Sequence, residues 1–184
     1  MNFKKNPGFI IVAILIVIAA LSRLLPHPPN FTPIGGMALF GAAYFSKKHL
    51  ALIIPLVALW ISDLILNNVV YGAYYDGFSW MGMPMVYAAF IIIALMGTAV
   101  IKKVKVSNVI IASLIASSIF FLLTNLGSWW ANPIYPKTLL GIGEAYIAGI
   151  PFFLNTIAGD LFFSGVLFGS YELIKRQYPV YAIK

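Results

Sequence analysis

Long apolar runs broken by short polar or proline-rich stretches dominate the chain. Crossing a bilayer core takes roughly 20 apolar residues per helix, with a working range of about 17–25. The pattern predicts six such elements: residues 8–25, 34–45, 50–66, 84–101, 106–126 and 148–174. The second is short and needs the stretch before it to complete a crossing. That stretch, LPHPPNFTP, carries Pro26, Pro28, Pro29 and Pro33. Proline fixes φ and lacks a backbone donor, so the stretch is expected to be a non-helical lead-in. The first run follows MNFKKNP and is long for the apolar region of a cleaved leader, so it reads as a retained helix. The expected fold is an all-α membrane protein built as a single domain over residues 1–184.

Composition strengthens this picture. Of the 184 residues, 61% are hydrophobic and 9% charged, with mean hydropathy +0.94. Soluble domains carry about 25% charged residues. Cysteine is absent, which excludes disulfides, thiolate metal sites and cysteine nucleophiles.

Charge then gives an orientation. The net charge is +7 and there are 12 lysines and arginines. Lys4, Lys5, Lys47, Lys48, Lys102, Lys103, Lys105, Lys175, Arg176 and Lys184 fall at one end of the predicted bundle; Arg23 and Lys137 fall at the other. Positive loops stay in the cytoplasm, so both termini are expected inside a bacterial inner membrane. The basic clusters act as topology signals and contacts for anionic membrane lipid, not as a nucleic-acid surface.

The outer connections are expected to be longer than the inner ones and rich in aromatic residues. They run through Tyr71, Tyr74, Tyr75, Trp80, Trp129, Trp130, Tyr135 and Tyr146, the last of them in a loop over residues 127–146. Two readings stay open: an aromatic belt at the lipid interface, or the wall of a ligand site. Four-residue spacings of small residues mark close helix packing: Ala38/Ala42, Ala112/Ala116, Ser113/Ser117 and Gly165/Gly169.

Ionisable groups inside a membrane are rare and are either paired or functional. Asp63 sits near the outer end of the third run, Asp160 near the middle of the sixth, and Arg23 ends the first. Arg23 could pair structurally with an aspartate, or these groups could close the floor of an outward-facing cavity. Candidate ligand-binding residues are Arg23, His27, Asn30, Asp63, Trp129, Trp130, Tyr135, Asn155 and Asp160. No enzyme is expected. His27 and His49 fall at opposite ends, which rules out a two-histidine metal site. Ser113, Ser117 and Ser118 have no base nearby in sequence, and no phosphate-binding glycine loop with a following Lys-Ser or Lys-Thr occurs. No cofactor is implied.

The runs RLLPHPPNFTPIGGMALFGAAYF and NPIYPKTLLGIGEAYIAGIPFFLNTIAGDLFFSGVLFG, with the Ser62-Asp63 pair, resemble a family of uncharacterised bacterial six-helix membrane proteins. The architecture is also similar to the substrate-binding S-components of energy-coupling-factor vitamin transporters. That resemblance implies a binder of a vitamin or similar micronutrient, with transport driven by separate scaffold and ATPase subunits. The alternative is a non-transporting structural or assembly protein.

Overall fold

The computed structural model describes residues 7–74 and 76–181, so Lys4, Lys5, Tyr75 and Lys184 lie outside the described residues. Those described form six α-helices and no strand: α1 (Pro7–Ser22), α2 (Ile34–Tyr44), α3 (Lys48–Ile65), α4 (Pro84–Val100), α5 (Val106–Ala131) and α6 (Leu139–Gln177). Three segments are long and apolar enough to cross a membrane: Lys48–Val70, Val106–Ala131 and Leu139–Gln177. Helices α1, α2 and α4 are shorter, though apolar.

Helix α2 is the centre of the bundle. At 11 residues it spans about 16 Å, yet it touches all five other helices. Every residue from Ile34 to Gly41 is buried. Small residues make that crowding feasible. A Cβ on Gly36 would stand 3.1 Å from the Ser164 backbone nitrogen, and one on Gly41 would stand 2.6 Å from the Pro55 ring. Phe40 and Tyr44 of α2 meet Phe168 and Tyr171 of α6 in edge-to-face contacts, with ring centroids 4.5–6.0 Å apart.

Most of the small-residue spacings pack inward as expected: Ala38, Ala112, Ala116, Ser113 and Ser117 are wholly buried. Gly165 and Gly169 are the exception, since a Cβ at either would meet open space.

Two boundaries differ from the expectation. Helix α5 runs on to Ala131 and α6 begins at Leu139, so the anticipated loop over residues 127–146 shrinks to residues 132–138. Glycines let the lengthened helices pack closely. Gly127 lies against Met85 and Gly149 against Asn125, where a side chain would collide. Thr138 caps α6 by accepting from the Gly141 N–H at 3.2 Å. The 39-residue α6 is thus about 58 Å long, nearly twice the roughly 30 Å hydrocarbon core. The second difference lies after α3, where residues Leu66–Val70 widen into a π-helical turn.

Candidate functional site

The proline-rich lead-in folds over the end of the bundle opposite the basic clusters. Phe31 N–H donates to the Pro28 carbonyl at 3.0 Å and Thr32 N–H to the Asn30 carbonyl at 3.1 Å. Asn30 adopts a left-handed conformation with φ 63°, which asparagine tolerates better than most residues. The Asn155 side chain donates to the Pro29 carbonyl at 2.9 Å. Gly159 lets α6 approach the lead-in closely, for a Cβ there would stand 2.9 Å from the Thr32 nitrogen.

Arg23 and Asp63 form a buried ion pair at 2.7 Å, their side chains 10% and 6% exposed. Arg23 also donates to the Ser62 hydroxyl and, at 3.4 Å, to the Leu59 carbonyl. The Tyr87 hydroxyl donates to the second Asp63 oxygen at 2.6 Å. Burying charge is tolerable only when it is paired and hydrogen-bonded, and here the turn after α1, α3 and α4 each supply a member. One donor remains: the Arg23 Nε is buried without a hydrogen-bond partner.

The segment between α3 and α4 is stapled back over this pair. Asn68 donates to the Leu64 and Ser79 carbonyls at 2.9 and 2.8 Å and accepts from the Ser79 N–H at 2.8 Å. Asn67 donates to the Ser79 hydroxyl at 3.2 Å, and the Trp60 indole to the Trp80 carbonyl at 2.9 Å. The π-helical turn aims both asparagines at one segment. Single π turns often mark functional sites. The staple brings Gly82 onto Asp63, where a Cβ would lie 2.7 Å from the carboxylate.

Two adjoining chambers lie beneath these segments. The first, about 310 Å³, is lined by Arg23, Asn30, Thr32, Asp63, Asn67 and Tyr71, with Ile34, Leu66 and Gly82. The second, about 300 Å³, is lined by Thr124, Asn125, Ser128 and Tyr135 with apolar residues of α6. Asn30, Met83, Val86 and Phe120 line both and form the partition. The only charged residues in either lining are Arg23 and Asp63, which neutralise each other.

Of the candidates named from sequence, Arg23, Asn30, Asp63 and Tyr135 meet around these chambers; the rest have other surroundings. Asp160 accepts from the Ser117 hydroxyl at 2.7 Å and from the backbone N–H groups of Gly35 and Gly36. It therefore satisfies the first turn of α2, where an anion is favoured by the helix dipole. A Cβ on Gly35 would fall 2.3 Å from its carboxylate. Asn155 holds the lead-in. The Trp129 indole donates to the Pro136 carbonyl at 2.8 Å, and Lys137 sits 5.6 Å over its ring, so Trp129 braces residues 132–138. Trp130 is 72% exposed, consistent with an interfacial aromatic. His27 contacts the Pro28 carbonyl at 2.9 Å and lines neither chamber.

Sequence reasoning did not single out Asn67, Tyr87, Thr124 and Asn125 as site residues. Their signal is modest: hydrogen-bonding side chains near the same end of otherwise apolar helices. No group of three or more metal-ligating residues occurs among the described residues.

No curated protein and no solved structure matches the chain. A model of a family of unknown function, DUF6580, matches residues 3–181. The chain belongs to that DUF6580 family.

Proposed function

We propose that the protein is a non-enzymatic, multi-pass membrane protein of the bacterial inner membrane that binds a small solute for uptake. All six helices cross or enter the bilayer, with the basic ends and both termini in the cytoplasm. The long outer part of α6 and the lead-in then stand at the external face.

The pair of adjoining chambers carries this reading. Each lies at the lower end of the roughly 300–1,000 Å³ range of small-molecule sites, and the two share one partition. Their lining combines amide and hydroxyl groups with apolar surface and has no net charge. The ligand is therefore an uncharged or zwitterionic molecule with several hydrogen-bonding groups, compatible with a vitamin or similar micronutrient. Energy for transport comes from separate scaffold and ATPase subunits, as the likeness to S-components implies.

A structural or assembly role is the second reading. The observation favouring it is that Asp63 and Asp160 already have internal partners. The two are separated by purifying the protein in mild detergent, denaturing it, and analysing the released small molecules by mass spectrometry. Binding predicts one recurrent polar compound near one per chain. Release of lipid and detergent alone favours the structural role.

A further inference from the structure

A third cavity, about 660 Å³, opens between α5 and α6 at the basic end of the bundle. Its deep end is the Ser113–Ser164 hydrogen bond, 2.9 Å long and satisfied within the protein. Its walls are apolar, including Val109, Ile110 and Phe168. Gly165 and Gly169 leave its floor bare, since a Cβ at either would meet nothing within 4 Å. Its mouth carries one carboxylate, Glu172, and two cations, Lys105 and Arg176. Neither cation is ion-paired among the described residues, whereas Glu172 beside them is held by Lys175 at 2.8 Å and by the Tyr44 hydroxyl.

We propose that this groove is a binding site for one anionic phospholipid of the cytoplasmic leaflet. An acyl chain lies over Gly165 and Gly169, and the phosphate sits between Lys105 and Arg176. The proposal rests on the membrane placement given above but not on the solute site. Two observations choose a lipid over a partner helix. From Arg176 to Leu161 the groove runs about 22 Å along α6. It therefore begins at the headgroup level and ends near mid-bilayer, about 15 Å into the core. That is the reach of one leaflet's tail; a transmembrane partner needs a face continuing through the other leaflet. The cations, moreover, stand only at the end where an anionic headgroup would be, and juxtamembrane lysines and arginines attract such lipids.

Native mass spectrometry of the delipidated protein, titrated with phosphatidylglycerol or phosphatidylcholine of identical chains, tests the assignment. The wild type should retain one phosphatidylglycerol at least about tenfold more tightly than phosphatidylcholine. The variant Lys105→Gln/Arg176→Gln should lose about tenfold or more of that affinity, as expected from removing two cations. The variant Gly165→Leu/Gly169→Leu keeps both cations and fills open space, and it should abolish the single tight site. Equal retention of the two lipids overturns the proposal, as does tight phosphatidylglycerol binding by the glycine double variant. A dimer or a captured helix that the glycine variant disrupts would show a protein occupant and overturn it too. Recovery of the native chain from a soluble fraction would remove the membrane placement itself, before any lipid is added.

Discussion

Removing Asp63 should cost far more than removing it together with Arg23. In Asp63→Leu the Arg23 guanidinium stays buried, with only the Ser62 hydroxyl and the Leu59 carbonyl as partners. Tyr87 also loses its acceptor. Breaking one side of a buried ion pair costs about 3–5 kcal/mol. Replacing both partners by apolar residues of similar volume is often nearly neutral, so Arg23→Met/Asp63→Leu should regain most of that loss. The conservative Asp63→Asn keeps an acceptor for Tyr87 and should fall between. For a chain of this length each kcal/mol corresponds to about 2–4 °C in Tm, so Asp63→Leu should melt roughly 6–20 °C below wild type. The assay is a thermal melt in mild detergent, read by fluorescence-detected size exclusion. The coupling energy from the double-mutant cycle should be at least about 2 kcal/mol. A melt within about 2 °C of wild type for Asp63→Leu, or a double variant worse than either single one, would refute the reasoning.

Other consequences are sharper in direction than in size. Asp160→Leu strips Ser117 and the first turn of α2 of their acceptor and should destabilise by about 1–3 kcal/mol, whereas Asp160→Asn should insert and fold with a smaller loss in the same melt. Gly35→Ala should be worse than an ordinary glycine substitution in a helix, because its Cβ would strike the Asp160 carboxylate; a wild-type Tm would contradict that cap. Trp129→Ala should loosen residues 132–138 and raise protease cleavage there, while Trp130→Ala, being exposed, should not. Cysteines at Ser128 and Ser107, treated with an impermeant reagent in intact spheroplasts, should label only at Ser128; labelling confined to Ser107 would invert the topology.

The sequence disclosed the helices better than it disclosed the site. Apolar runs place helices because burial and hydrocarbon both demand them, and the four prolines before Ile34 mark where α2 begins in the structure. Length was harder to read. Gly127, Gly141 and Gly143 fall in the stretch expected as a loop, yet Gly127 and Gly141 are needed for close contacts of α5 and α6. The Arg23–Asp63 pair is one of two readings the sequence offers, since the other basic residue at that end, Lys137, falls in a connection rather than at the end of an apolar run. Asp160 is buried within α6, but besides Ser117 its partners are backbone amides of Gly35 and Gly36, and an N–H group leaves no mark in the sequence. Asn67 and Asn68 were invisible as site-shaping residues because their roles depend on the π-helical turn, one added residue in a helix that simple periodicity reads as continuous.

Native mass spectrometry of the intact protein with its co-purified solute, compared with Val86→Trp, tests the binding claim most directly. Val86 lines both chambers, so an indole there should fill the partition. The account predicts one solute mass per wild-type chain and none on a folded Val86→Trp protein. The same solute at the same occupancy on both proteins would contradict it.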